Sequence, residues 1–161
     1  MERGFFSEIR FRLTSPWNAA FFGYFILIVI VFAGFGVGYS FFSTLKSEHS
    51  DWLGVAQNLA TYFMAILASA VIDLNISWNI ENRVSFLIYS ILLFVLGVLI
   101  LITTYSISSN WAFVPAVLGC FLAWLTWILA NSDNEKLNDQ NFYNAMRGKE
   151  NHGRNWNNET L

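Results

Sequence analysis

The stretch VSFLIYSILLFVLGVLILITTY, from Val84 to Tyr105, decides the fold class, because none of its 22 residues is Asp, Glu, Lys or Arg. An α-helix rises about 1.5 Å per residue, so a helix of this length covers the roughly 30 Å hydrocarbon core of a bilayer. Leu, Ile and Val dominate the stretch, and its polar side chains are all hydroxyls. We therefore expect a transmembrane helix here.

Three more blocks of similar length also lack charged residues. A soluble helical core is the competing interpretation, but a soluble helix keeps a polar face, whereas Ile26 to Phe35 is apolar all round. The chain is therefore predicted to be an all-α integral membrane protein, a bundle of four transmembrane helices. The other three blocks run from Trp17 to Phe42, Trp52 to Ile72 and Trp111 to Ala130.

The overall composition agrees with this class. The chain is 55% hydrophobic and only 12% charged, against about 25% charged in a typical soluble domain. The formal net charge of −2 gives no sign of nucleic-acid binding, and we expect none. Cys120 is the single cysteine and lies inside the fourth block, so it is expected to be a packing residue.

The distribution of basic residues predicts the orientation. Lys and Arg favour the cytoplasmic side of short loops, and the side opposite both termini carries Lys46 alone. A cleaved signal peptide with Phe21–Phe32 as its core is the alternative, but the segment before it is long and acidic in part. We expect both termini inside, in a bacterial inner membrane. The predicted inner side carries Arg3, Arg10, Arg12, Arg83, Lys136, Arg147, Lys149 and Arg154.

The two terminal segments are predicted to be short and cytoplasmic. Residues 1–15 place apolar side chains on one helical face and Arg3, Arg10 and Arg12 largely elsewhere, which indicates an interfacial helix whose arginines contact headgroups. A frayed basic terminus that only sets topology is the alternative.

The tail, 131–161, is predicted to form a short helix over 133–147 and then to be disordered. Phe142 and Met146 would give that helix a small apolar patch, and Arg147 would close its last turn. The helix is expected to dock on the membrane, on a neighbouring subunit or on a soluble partner protein, and these three residues are the expected partner contacts.

The second block is unusually polar. Gln57, Asn58, Thr61 and Ser69 lie near one helical stripe that leads to Asp73 at the predicted inner end. Polar groups in a membrane helix face protein or water rather than lipid. The stripe therefore indicates either helix and subunit packing or, alternatively, the lining of a pore with Asp73 at its mouth.

Small residues at a spacing of four predict close helix packing in the first and fourth blocks. Gly34 and Gly38 form one such pair, and Gly119 and Ala123 form the other. The third block has only Gly97 as a small apolar residue, so it is the expected lipid-facing helix. Because four thin spans leave little room for a buried solute, we expect a homo-oligomer.

No pattern in the sequence indicates catalysis, a metal or a cofactor. His49 and His152 fall in opposite aqueous regions, and the blocks contain no intramembrane carboxylate for proton-coupled transport. Two hypotheses remain. One is a non-enzymatic anchor and sensor that oligomerises and engages a cytosolic partner; the other is a small homo-oligomeric channel or pore-forming effector.

The layout resembles the four-span membrane subunit of the bacterial Kiwa anti-phage defence system. The resemblance covers chain size, four spans with short loops, both termini inside, and the polar second span QNLATYFMAILASAVIDL, from Gln57 to Leu74. It implies an inner-membrane homo-oligomer that senses phage-induced membrane disturbance together with a cytosolic DNA-binding partner protein.

Overall fold

A computed structural model describes residues 5–14, 16–47, 52–76, 83–132, 134 and 137. Apart from Asn134 and Leu137, the predicted tail helix lies outside these residues. The predicted contacts of Arg3, Phe142, Met146 and Arg147 lie outside them as well.

All regular structure in the described ranges is helical. The elements are α1 (Phe5–Thr14), α2 (Ala19–Tyr24), a π-helix (Phe25–Phe32), α3 (Phe35–Lys46), α4 (Trp52–Ile76), α5 (Arg83–Ser106), a 3₁₀ turn (Asn110–Ala112) and α6 (Phe113–Asn131). The all-helical prediction is therefore confirmed for the part of the chain that the structure describes.

Three described helices are long and apolar enough to cross a membrane: Trp52–Ile76, Val84–Ser106 and Asn110–Asn131. The number rises to four if the bent pair Ser7–Thr14 and Ala19–Phe32, whose axes meet at 81°, is one span. By length and composition, the described residues thus contain three to four candidate membrane spans.

The first predicted span differs from a single α-helix. Its backbone passes from α2 through the π-helix and a turn at Ala33 and Gly34 into α3. The Ala33 N–H donates to the carbonyl of Ile28, five residues back, whereas the Gly34 N–H donates to Ile30, four residues back. This change of register passes over the carbonyl of Val29, which needs a donor from elsewhere in the protein.

The corner between α1 and α2 is held by two side chains. The Trp17 indole N–H donates to the carbonyl of Leu13 at 2.8 Å, at the end of α1. Asn18 then caps α2, since its side-chain oxygen accepts the N–H of Phe21 at 2.8 Å. Both bonds satisfy backbone groups that a helix end leaves unpaired.

The centre of the bundle is the contact between α4 and α6. Gly119 of α6 lies so close to the buried ring of Phe63 that an added Cβ would stand 2.5–2.7 Å from three ring carbons. Fully buried alanines on both helices, Ala60, Ala116 and Ala123, keep the backbones near each other. Cys120 is buried in the same contact as a free thiol.

Helix α5 packs on this pair from outside. Gly97 meets Leu67 of α4, so close that an added Cβ would overlap the leucine side chain. The apolar window of α5 is only 22% buried, compared with 39% for α4 and 50% for α6. This exposure agrees with the expectation that the third block faces lipid.

Aromatic rings join the first helical segment to α6. This segment consists of α2, the π-helix and α3. Trp127 lies 5.5 Å from the ring centres of both Phe21 and Phe25, and it stacks on Tyr24 at 6.0 Å with 9° between the planes. Such ring pairs stabilise a contact beyond the area that they bury. They attach α2 and the start of the π-helix to the end of the bundle that carries α1.

Candidate functional site: the polar face of α4 and its cavities

One face of α4 is exposed along its whole length. We call Asn58, Thr61, Ala65, Ser69 and Ile72 the outer face of α4, because all five are exposed at helical spacing. Gln57 and Asp73 flank this face and are partly buried. The predicted stripe of polar residues is therefore present, and within one chain it points away from the core.

Two residues of the outer face bond to different neighbours. Asn58 donates from Nδ2 to the hydroxyl of Ser40 in α3 at 3.0 Å. The Thr61 hydroxyl lies 3.1 Å from its own helix at the Gln57 carbonyl and 3.2 Å from the Tyr105 hydroxyl of α5. The outer face is thus bordered by α3 on one side and α5 on the other.

A cavity of about 440 Å³ opens beside α4 at the end that carries α1. We call it the Asp73 cavity. Its apolar part lies between the π-helix and α4, and its polar groups gather at the helix ends. Among its lining residues are Tyr24, Val29, Ala65, Ile66, Ser69, Asp73, Trp127 and Asn131.

A second cavity of about 330 Å³ lies between α3 and α4, toward the other end of α4. It is hydroxyl-rich, and Asn58 is the α4 residue that lines it. The two cavities give the contact between the first helical segment and α4 a polar mouth at each end. The second cavity is lined by Gly36, Tyr39, Ser40, Ser43, Thr44, Ser47 and Asn58.

A buried hydrogen-bonded relay crosses the bundle between these cavities. The Trp124 indole N–H donates to the Tyr62 hydroxyl at 3.0 Å, and that hydroxyl donates to the Val29 carbonyl at 2.8 Å. Val29 is the carbonyl that the register change in the π-helix passes over. Tyr62 therefore supplies the missing donor and ties the first segment, α4 and α6 together.

The position of Arg12 differs from the prediction made for it. It was predicted to contact headgroups, but its side chain is 6% exposed. It pairs with Glu8 at 3.1 Å and donates to the carbonyl of Leu129 at 3.3 Å and to the Ser132 hydroxyl at 3.4 Å. The headgroup prediction is wrong for Arg12, because the unpaired carbonyls at the end of α6 attract a cation. Arg10 is exposed, and its predicted contact with headgroups stays a prediction.

The small residues that were predicted to pack between helices differ in what surrounds them. Gly119 and Ala123 lie in the α4–α6 contact. An added Cβ on Gly34 would meet the carbonyl oxygen of Ile30 in its own segment, whereas one on Gly38 would meet nothing within 4 Å. The predicted packing role of Gly38 is therefore absent within one chain, since the π-helix rotates α3 relative to a regular helix.

Several residues of the site were not predicted from the sequence. Tyr62 and Trp124 are aromatic residues with a polar tip inside an apolar block, a combination that finds a hydrogen-bond partner when it is buried. Asn75 and Ser90 exchange hydrogen bonds at 3.0 and 3.2 Å between α4 and α5. The sequence indicates that these four side chains form interhelical hydrogen bonds, but it does not indicate which of them bond to each other.

Among the described residues, no group of three or more His, Cys, Asp or Glu side chains lies together in a way that could hold a metal ion. The chain matches no protein-family model, no curated protein and no solved structure.

Proposed function

We propose that the chain is a non-enzymatic membrane anchor and sensor with four spans, both termini on the cytoplasmic side of a bacterial inner membrane, that engages a cytosolic partner. The observation that carries this proposal is the Arg12 contact with Leu129 and Ser132. It links α1 directly to the residue where the last span ends and the tail begins.

The sensing step follows from the direction of α1. The 81° bend turns α1 across the axis of Ala19–Phe32, so if that segment spans the bilayer, α1 lies along the membrane surface. Arg10 then faces headgroups while Arg12 holds the start of the tail. A change in surface charge or packing that moves α1 is transmitted to the tail and its partner.

The orientation is tested by labelling single cysteines with an impermeant maleimide in intact spheroplasts. Ser47→Cys should react from outside, whereas Ser7→Cys and Asn134→Cys should react only after lysis. Ser7→Cys and Ser47→Cys reacting from the same side would contradict the proposed crossing of the first segment.

The partner is tested by affinity purification of the full chain. A cytosolic protein should co-purify with it and be lost when the chain ends at Asn131. Arg12→Ala should reduce its recovery about tenfold, whereas the matched variant Arg10→Ala, which removes the same charge from an exposed site of α1, should retain it. Equal recovery with both variants would overturn the proposed role of Arg12.

The outer face of α4 supports self-association. Polar groups facing lipid are costly, and a second copy packed there would cover Asn58 and Thr61. Native mass measurement in nanodiscs should give an oligomer. A monomer only would refute this part of the proposal.

A homo-oligomeric pore is the second candidate, favoured by the same exposed polar face. In that case purified protein in planar bilayers conducts ions, and Asp73→Asn or Asn58→Leu changes the conductance. Silent bilayers would exclude this candidate.

The resemblance to the Kiwa membrane subunit supports anti-phage defence as the setting of the anchor. Expression together with a soluble protein encoded beside it should lower phage plating. No protection by the pair would remove that setting without affecting the membrane anchor itself.

A further inference from the structure

We propose that the Asp73 cavity binds a phospholipid whose headgroup ends in a primary ammonium, with its ammonium at Asp73 and its first acyl carbons between the π-helix and α4. This inference goes beyond the anchor role and does not depend on it.

Asp73 supplies the charge complementarity. It is the only carboxylate among the described residues that line the cavity, and none of those residues is Lys, Arg or His. No hydrogen bond or ion pair joins its carboxylate to another described residue, and it is partly buried. A carboxylate at the edge of a bilayer is stabilised by a cation, and a headgroup ammonium offers N–H donors at that depth.

Ser69 and Asn131 supply donors for the phosphate of the same headgroup. Ser69 lies one helical turn from Asp73 on α4, and both side chains line the cavity. Asn131 donates one amide hydrogen to the Trp127 carbonyl at 3.2 Å, so its second amide hydrogen is available to an acceptor. A zwitterionic headgroup thus finds an acceptor for its ammonium and donors for its phosphate.

The rest of the cavity suits an acyl chain. Ile28, Val29 and Ile66 form its wall, and Ala33 and Ala65 leave space beside them. The Val29 carbonyl already accepts the Tyr62 hydroxyl at 2.8 Å, so it does not require water in the cavity. The apolar part is therefore chemically matched to hydrocarbon.

Other lipid headgroups fit this lining less well. The quaternary ammonium of a choline lipid has no N–H to donate to Asp73, and a glycerol headgroup leaves the lipid with a net negative charge next to that carboxylate. The geometry therefore points to an ethanolamine-type headgroup rather than to lipids in general.

Native mass spectrometry of the full chain from nanodiscs with equal ethanolamine, choline and glycerol phospholipids tests the inference. The wild type should retain the ethanolamine lipid at least tenfold over the choline lipid. Asp73→Asn should abolish this preference. Equal retention of the two lipids by the wild type, or an unchanged preference in Asp73→Asn, would overturn the proposal.

A pair of tryptophan variants locates the site. Ala65→Trp fills the cavity and should remove the retained lipid. Ile72→Trp places the same side chain on the outer face of α4 but outside the cavity lining, and it should retain the lipid as the wild type does. Loss in both variants, or in neither, would place the lipid elsewhere. Either result leaves the recovery of a cytosolic partner unaffected.

Discussion

At the scale of single residues, the relay from Trp124 through Tyr62 to Val29 has the clearest energetic role. Without the Tyr62 hydroxyl, the carbonyl of Val29 would be buried between helices with no donor, at a cost of about 1–3 kcal/mol. The hydroxyl thus stabilises the local change from π to α geometry.

Tyr62→Phe should therefore lower the free energy of unfolding by about 1–3 kcal/mol, as measured by titration with sodium dodecyl sulfate in mixed micelles. Tyr105→Phe is the matched control, because its hydroxyl meets the exposed Thr61 side chain and should cost under about 1 kcal/mol. Equal losses in the two variants would show that Val29 does not depend on Tyr62.

The sequence could predict the polar residues but not their partners. Asn58 and Thr61 were recognisable because amides and hydroxyls are rare in an apolar block. The sequence does not reveal that the carbonyl of Val29 needs a donor, because this need arises from the hydrogen-bond register of the backbone. The position of Arg12 depends on the bend after α1, which brings distant parts of the chain together.

At the scale of helices, the contact between α4 and α6 depends on the absence of a side chain at Gly119. Its neighbour Phe63 is fully buried, and three of its ring carbons lie 2.5–2.7 Å from where a Cβ on residue 119 would stand. Dispersion contacts and close approach stabilise helix pairs in lipid, where the hydrophobic effect between helices is small. A single methyl group at this point therefore disturbs the centre of the bundle.

Gly119→Ala should destabilise the protein by about 1–3 kcal/mol through overpacking. Gly38→Ala makes the same substitution where nothing lies within 4 Å, and it should leave the melting temperature in detergent nearly unchanged for the monomer. Thermal unfolding followed by circular dichroism distinguishes the two. Similar melting temperatures for both variants would contradict the described α4–α6 contact.

Helix positions were largely predictable from the four blocks. Three blocks correspond to α4, α5 and α6, whose ends extend past the apolar runs, as at Asp73 in α4. The first block was not predictable in detail. Hydropathy identifies its apolar length but carries no information on the hydrogen-bond register between Phe25 and Gly34.

At the scale of the whole molecule, the described contacts divide the protein into a packed part and a part with open surfaces. The helices α4 and α6 form the packed part, with α5 against them. The first segment is attached by rings at the α1 end and by the Asn58–Ser40 bond farther along. The cavities lie between these attachments, where lipid or a second copy would have access.

The membrane class follows directly from the sequence, because uncharged blocks of this length have few other solutions in proteins. The link between α1 and the tail does not. It requires that Arg12 and Ser132, which are 120 positions apart, meet at the end of α6. The proposed sensing depends on this link.

Double electron–electron resonance in nanodiscs tests that link. It measures the distance between spin labels at Ser7→Cys and Asn134→Cys in a Cys120→Ala background. The wild-type chain and Arg10→Ala should both give one narrow distance distribution. Arg12→Ala should broaden it, because α1 is no longer bonded to Leu129 and Ser132. An unchanged narrow distribution in Arg12→Ala would show that Arg12 does not hold α1 to the end of α6.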